Sequence, residues 1–317
     1  MMQFYRGMGG MPQTSISTPF IRRLRHALSA TLLLPLLLTG CSFLSTTRKL
    51  PVPKAPTITQ TVPPEQLVVQ LNQRWSALQS LTAKVDIQAS VLKTKEGLAK
   101  DYTTFRGIIL IRKPEMLRVY GQVPVIGTRM FDMVSDGKDF SLYIPSRNKV
   151  IKGPNTLSKK SASQVENMRP GFFFDAMVVR GLDPDNYYSV TADTETVEDA
   201  AKKHLYLVPE YVLSITRHTS ESHRDIPVRV ITFTRDDLMP YQQDIYDNEG
   251  NLETQVTYGQ YRDFDATKFP STITIKRPLE EYQIVLTIES VKENQSLPDD
   301  QFQIKNIPDG TQVQNLQ

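Results

Sequence analysis

The sequence predicts a mainly β domain with a few α-helices, folded as a barrel or a strongly curved antiparallel sheet. Three observations lead to this fold class: many short stretches alternate apolar and polar residues, turn dipeptides separate these stretches, and no alternating βαβ pattern is present. The 317-residue chain has 39% hydrophobic and 22% charged residues, which is ordinary for a globular protein that buries a core. An N-terminal helix and short lid helices are expected to cover the barrel.

Residues 1–40 have the composition of an export signal. They contain four of the chain's 37 basic residues and none of its 34 acidic residues, so the remainder carries a net charge of −1. A basic cluster that begins at Arg22 precedes an apolar run over 27–38, which contains Pro35 and is shorter than the ~20 residues of a spanning helix. A short uncleaved membrane anchor is the alternative. The near-neutral remainder argues against a nucleic-acid partner.

The single cysteine, Cys41, comes almost directly after this apolar run. One cysteine excludes an intramolecular disulfide framework and any multi-cysteine metal centre. Residues 41–63 form a Ser/Thr-rich segment with four prolines, which predicts an extended tether. The folded domain is expected over residues 64–317.

Apolar periodicity defines the elements of this domain in order. Pro64 suits the first turn of a helix, and Leu67, Leu71 and Trp75 then form one apolar stripe. The period next changes to two, which predicts a strand over 81–91. The further strand candidates are 101–112, 116–121, 128–135, 139–144, 148–152, 186–193, 203–208, 210–217, 227–234, 240–247, 251–262, 271–277 and 281–292.

Residues 157–182 interrupt the β pattern. They contain two helical stretches joined at Pro170-Gly171, and the second stretch is apolar on nearly all sides. Such a helix has to bury most of its surface. It is therefore expected as a lid or plug across the mouth of the barrel.

Several motifs, taken in chain order, resemble those of the LolA/LolB group of lipoprotein carriers and lipoprotein-sorting domains. The first resembles a lipobox, and the others resemble the carriers' basic Pro-containing turn, their VSDGK…LYxP hairpin and their closing segment. These motifs are Leu38–Cys41, Ile111–Arg118, Val134–Lys138 with Leu142–Pro145, and Leu297–Phe302 with Ile307–Gly310. Because the lipobox is present, the chain resembles the lipid-anchored receptor LolB more closely than the soluble carrier.

The resemblance implies a half-open antiparallel β-barrel covered by an N-terminal helix and short lid helices. It also implies a lipoprotein of the outer membrane that faces the periplasm. Cys41 would carry the lipid anchor, and Ser42 after it resembles an outer-membrane sorting signal. The implied function is to bind acyl chains of lipoproteins or other lipids in an apolar cavity, for lipoprotein localisation. The implied partners are those acyl chains, the membrane and a periplasmic carrier protein, without a cofactor. The implied cavity and lid residues are Phe172, Phe173, Phe174, Met177, Val85, Ile87, Phe105 and Ile109.

Two further features follow from the same resemblance. Val125 and Ile126 match the exposed apolar loop that such a receptor inserts into a membrane, with burial of both side chains inside the barrel as the alternative. Lys113 occupies the place of an arginine that holds the carriers' lid helices closed. Arg112 precedes it and, on a strand, faces the opposite side. The resemblance thus gives Arg112 and Lys113 as the lid-latch candidates, although Arg112 cannot simply take the place of the carriers' arginine.

No pattern of catalytic residues supports an enzyme. His218 and His223 flank a polar stretch that suits a solvated loop better than a weak metal site. The adjacent acidic pairs point to opposite faces of their strands, and the phosphate-binding, serine-hydrolase and zinc-protease motifs are missing. The chain is therefore predicted to have no catalytic and no metal site. The alternative function is an envelope sensor or assembly factor that binds a partner protein with the same fold.

Overall fold

The computed structural model describes residues 59–93, 96–123, 126–155, 169–199, 204–219 and 224–316. They all belong to one unit of the chain, Pro53–Gln317. The predicted export signal, Cys41 and most of the predicted tether lie outside the described residues.

Two α-helices and seventeen strands make up this described part. Helix α1 spans Pro64–Ala77 and α2 spans Gly171–Met177. The strands are β1 (Ser80–Lys93), β2 (Leu98–Asp101), β3 (Phe105–Arg112), β4 (Met116–Gln122), β5 (Arg129–Ser135), β6 (Asp139–Ile144), β7 (Lys149–Pro154), β8 (Tyr187–Asp199), β9 (His204–Thr219), β10 (Arg224–Thr234), β11 (Pro240–Tyr246), β12 (Leu252–Tyr258), β13 (Tyr261–Phe264), β14 (Thr267–Pro270), β15 (Thr272–Arg277), β16 (Tyr282–Glu293) and β17 (Gln312–Asn315).

Fifteen of these strands form one sheet. Their order is β17-β7-β6-β5-β4-β3-β1-β16-β15-β12-β11-β10-β9-β8, and β2 pairs with β1 beside this path. The described pairs are antiparallel except for β17 with β7, while β13 and β14 form a separate hairpin. The expected mainly β class with a large antiparallel sheet and an N-terminal helix is confirmed.

The sheet curves around α2. Strands β6 and β11 are eight places apart in the order, which corresponds to about 38 Å in a flat sheet with ~4.8 Å between strands. Arg169 nevertheless lies 5.3 Å from the ring centre of Phe140 in β6, and the Asp175 carbonyl accepts a hydrogen bond from Gln243 in β11. Because α2 is only about 10 Å long, one short segment reaches both strands only if the sheet wraps around it.

The largest apolar cluster lies on the concave face of this sheet. Alternate residues of β1 point into the cluster, as the period of two predicted, and they are at most 2% exposed: Leu81, Ala83, Val85 and Ile87. A second cluster joins Leu67 and Leu71 of α1 to β9 and β10. Burial of this stripe fixes α1 on the concave side, where it borders the candidate site.

The C-terminal segment crosses the convex face. Leu297 and Phe302 pack on Leu110 of β3, and three arginines of β3, β4 and β5 donate hydrogen bonds to carbonyls four residues apart. These pairs are Arg112–Leu297, Arg118–Gln301 and Arg129–Lys305, at 2.6, 2.8 and 3.0 Å. The resemblance to a closing segment therefore corresponds to a strap over the outside of the sheet.

Several predicted strand boundaries are wrong: residues 102–104 separate β2 from β3 within the predicted strand 101–112, and β8 extends to Asp199 instead of ending at 193. Two other errors have a clear cause. The break at Pro209 does not exist, because β9 runs through it. The Pro209 carbonyl accepts a hydrogen bond from the Arg235 amide, just beyond the end of β10. The N–H that proline lacks would point to the same side, where β10 has already ended, so no hydrogen bond between the strands is lost. The predicted strand 251–262 is instead divided into β12 and β13. The chain leaves the sheet at Gly259, where an added Cβ would lie 2.1 Å from Oγ1 of Thr272.

Candidate functional site

The structure brings the eight predicted cavity and lid residues together on the concave face. Seven of them are buried in the main cluster, and Phe105 packs against it. The buried seven are Val85, Ile87, Ile109, Phe172, Phe173, Phe174 and Met177. Their side chains form part of the hydrophobic core of the sheet.

Helix α2 lies inside the curve of the sheet with its aromatic rings buried. Phe172 stacks on Phe173 with 4.3 Å between ring centres, and it contacts Tyr282 of β16 at 6.0 Å. Phe174 makes an edge contact with Trp75 of α1 at 6.5 Å. A helix that is apolar on nearly all sides can be accommodated here because sheet, α1 and flanking loops surround it. The other predicted lid helix falls within 156–168, outside the described residues.

An apolar cavity of about 330 Å³ lies at the C-terminal end of α2. Its walls come from α1, from the residues that follow α2, and from the β13–β14 hairpin, with Leu71, Leu78, Met177 and Phe269 among them. Charged side chains also line it; one of them is Glu293, and burial raises the pKa of this carboxyl. The cavity is thus apolar inside with polar groups around it, as a site for an amphiphilic molecule requires.

A polar cavity of about 720 Å³ lies near the N-terminal end of α2. Arg277 is a buried wall residue that donates to Glu280 at 3.1 Å and to Glu253 at 3.2 Å, and its guanidinium lies 5.7 Å from the Phe172 ring centre. Asp175 of α2 also lines this cavity. Because Phe172 and Met177 line different cavities, α2 forms part of the wall between them.

Arg180 connects the segment after α2 to the β3–β4 turn. Its Nε donates to Asp175 at 2.5 Å, and its NH1 group donates to Glu115 at 3.0 Å. The guanidinium also lies 4.7 Å from the ring centre of Phe174. These contacts hold α2 in place from outside the apolar core.

Neither predicted latch residue contacts α2 directly. Arg112 faces the convex side, where it bonds the C-terminal segment. The Nζ atom of Lys113 donates to the Trp75 carbonyl at 2.6 Å and lies 4.1 Å from that ring centre, and burial lowers the pKa of Lys113. Lys113 therefore secures the end of α1, and among the described residues its link to α2 runs through Trp75, which contacts Phe174.

The loop between β4 and β5 contains Ile126, one of the two residues predicted to form an exposed apolar tip. Ile126 is 76% exposed, and Val125 lies outside the described residues. The strand registers place exposed Leu98 and Tyr102 at the same end of the sheet, since β2 pairs with the end of β1 beside β3. This end therefore presents separate apolar side chains to solvent.

Sequence reasoning missed the buried polar and charged residues of β10, β11 and β15. Arg229, Arg277 and Gln243 are all at most 9% exposed. The alternation along β10 could have indicated this burial, because Arg229 lies two positions before the apolar Ile231 and therefore on the same face of the strand. Only the partners from distant strands could show that these polar groups lie inside.

Neither described helix is both long and apolar enough to cross a bilayer. The described part of the chain also contains no group of three or more histidine, cysteine or acidic side chains arranged to hold a metal ion.

The fold and its cavities define a mainly β protein with an apolar and a polar cavity on the concave side of one curved sheet. A family model described as "-like: Uncharacterized protein" matches residues 115–309, and the chain belongs to that family. No curated protein matches the chain.

Three solved structures are similar to this one. A LolA superfamily protein from Nitrosomonas europaea has a TM-score of 0.48 at 17% identity, with 77% of this chain and 99% of that chain covered. A DUF1329 family protein from Desulfovibrio piger has 0.47 at 17%, with 75% and 95% covered. An outer membrane lipoprotein-sorting protein domain from Vibrio parahaemolyticus has 0.43 at 11%, with 75% and 94% covered.

Proposed function

We propose that this chain is a non-enzymatic lipoprotein that binds acyl chains on the concave side of a half-open barrel. Cys41 would anchor it in the outer membrane with its domain facing the periplasm, where it would act in lipoprotein localisation and meet a periplasmic carrier. The ordered motifs that resemble the LolA/LolB group support this proposal. Stable anchoring fits a lipobox cysteine, because two or more acyl chains hold a protein far better than one.

The observation that carries the proposal is the apolar cavity beside α2. Burial of each CH₂ group contributes roughly 0.8 kcal/mol, so even a partly inserted chain would gain several kcal/mol. The remaining cavity is small because α2 fills the centre of the concave face. Movement of α2 would join the apolar and polar cavities and admit a longer chain.

Substitution at the cavity wall tests this proposal. The variant Leu78→Trp places a large ring in the apolar cavity, whereas Leu98→Trp adds the same ring at the exposed far end of the sheet. The affinity for a fluorescent fatty acid should decrease at least about tenfold in the first variant and remain unchanged in the second. Mass spectrometry of the full chain purified with Cys41→Ser should also detect a bound lipid. A wild-type protein that binds no acylated probe would refute the proposal.

A second candidate is an envelope sensor or assembly factor that recognises a partner protein. The observation that favours it is the packing of Phe172, Phe173 and Phe174, which fills much of the concave face. Depletion of the protein in its own cell separates the two functions: a role in lipoprotein localisation predicts mislocalised outer-membrane lipoproteins. Correct lipoprotein localisation together with a failed envelope response would favour the sensor.

A further inference from the structure

Four arginines surround α2, and they differ in how their charge is compensated. Arg180 and Arg277 each pair with two carboxylates. The pairs are Arg180 with Asp175 and Glu115, and Arg277 with Glu280 and Glu253. Arg169 lies on the Phe140 ring, and Arg229 lies behind the segment that follows α2.

Among Arg180, Arg277 and Arg229, the positive charge of Arg229 has the fewest described hydrogen-bond and ion-pair partners. Arg229 is 9% exposed, and its NH1 group donates one hydrogen bond of 3.3 Å to the Arg180 carbonyl. Its Nε atom has no acceptor among the described residues, and no described carboxylate lies within 4.0 Å of the guanidinium. Burial lowers the pKa of Arg229, because a charge removed from water is destabilised unless hydrogen bonds replace its hydration.

The position of Arg229 is between the two cavities. Arg229 pairs across β10 and β11 with Ile245, which lines the polar cavity, and its NH1 group donates to the carbonyl of Arg180, which follows Val179 of the apolar cavity. Close by, Asp175 lines the polar cavity and Tyr258 lines the apolar cavity. Gln243 connects the same two residues, since its Nε2 atom donates to the Asp175 carbonyl at 2.5 Å and to the Tyr258 hydroxyl at 2.6 Å. Arg229 therefore stands behind the wall that α2 completes, at the junction of apolar and polar space.

We propose that Arg229 binds the anionic group of the amphiphile whose chain enters the apolar cavity. This inference rests on the proposed function and names the charge class of its ligand. When the segment around Arg180 moves, Arg229 loses its one carbonyl partner and presents its donors to the joined cavity. A carboxylate or a phosphate offers two oxygens that match the planar fork, whereas a neutral head group leaves the buried charge uncompensated.

A pair of probes that differ only in the head group tests the inference on the full chain. Dodecyl phosphate should bind the wild-type protein about tenfold or more tightly than dodecanol, measured by displacement of a fluorescent acyl probe at constant salt. Inorganic phosphate alone should compete only at much higher concentration. Competition by inorganic phosphate at the same concentration as dodecyl phosphate would show a free-anion site and overturn the amphiphile assignment.

Substitution assigns the preference to this side chain. Arg229→Met and Arg229→Gln should remove the preference for dodecyl phosphate and leave dodecanol binding unchanged. Arg217→Met, which removes an exposed arginine of β9, should retain the preference. The Tm of Arg229→Met should be equal to or above the wild-type value, because an undercompensated buried charge is lost.

The outcomes separate this inference from the function on which it rests. Equal binding of both probes by the wild type, or an unchanged preference in both Arg229 variants, would overturn the inference and leave acyl-chain binding intact. Absence of binding for both probes would instead reject the proposed function. A large decrease of Tm without loss of preference would assign Arg229 a purely structural role.

Discussion

Replacement of Arg180 by methionine should loosen α2 without changing the apolar surface that α2 buries. Methionine keeps the length and much of the volume of the arginine stem but cannot donate to Asp175 or Glu115. The change therefore removes both ion pairs and the contact of the guanidinium with Phe174. Phe172, Phe173 and Met177 remain available to pack as before.

The expected size of this effect follows from the exposure of the three partners. The side chains of Arg180 and Asp175 are 29% and 23% exposed, so their bond is partly shielded and should contribute about 1.5 kcal/mol. Glu115 is 45% exposed, and its pair with Arg180 should contribute about 0.5 kcal/mol. Together they amount to about 2 kcal/mol, which corresponds to a change of about thirtyfold in the equilibrium between seated and released α2.

Amide hydrogen exchange measures this equilibrium at the helix itself. The Val178 amide donates to the Phe174 carbonyl at 3.0 Å and the Phe173 amide to the Pro170 carbonyl at 2.9 Å, so both report release of α2. Both should exchange about thirtyfold faster in Arg180→Met. Lys305→Met, which breaks a surface ion pair of the C-terminal segment, is the matched control and should leave both rates unchanged. A change of less than about threefold in Arg180→Met would refute the role of Arg180 as a latch.

Three further predictions concern other parts of the molecule. Burial raises the pKa of Glu210, so the folded protein binds the proton of this carboxyl more readily than the unfolded chain does. The cost of its charge to the stability of the fold therefore decreases as the pH falls from 7 toward the pKa of the unfolded chain, ~4.3. Glu210→Gln, which keeps an acceptor for the Tyr241 hydroxyl, should therefore raise the Tm at pH 7, and the gain should shrink by pH 5; a gain independent of pH would contradict this. Arg118→Met should cost about 3 kcal/mol in chemical denaturation because Asp132 is fully buried, and Asp132→Asn in the same chain should recover part of that loss. Ile126→Asp should change stability by less than about 0.5 kcal/mol and reduce cosedimentation with lipid vesicles, whereas a clear decrease in Tm would show that Ile126 packs inside.

The sequence predicted elements whose pattern is local. The stripe of α1 and the alternation of β1 each follow from the burial of one face, and both are found where expected. The burial of α2 could be predicted because a helix apolar on nearly all sides has no solvent-facing surface to offer. Pro209 gave a wrong boundary because the cost of its missing N–H depends on which neighbouring strand it faces, and that neighbour is distant in sequence.

The polar part of the candidate site could not be predicted in the same way. Arg277 is buried and pairs with Glu253 of the neighbouring β12 and with Glu280, three residues later in the β15–β16 turn. Arg180 secures α2 through Glu115, which lies 65 positions earlier. A charged residue on a strand indicates an exposed position unless its partners are known. The latch candidate Lys113 came from the resemblance. In the structure, the residue that bonds directly to Asp175 of α2 is Arg180.

The pairing of β1 with β16 determines when the fold can be completed. Their register runs from Leu81–Glu293 to Val91–Tyr282, so the central seam of the sheet joins segments about 200 residues apart. A chain that emerges from a membrane channel with its N-terminus first would present β1 long before β16 arrives, and contacts this distant in sequence form slowly. Until then the apolar side of β1 has no partner on one flank. For the exported lipoprotein proposed above, folding should therefore depend on a factor that shields β1 from aggregation until the last strands have crossed.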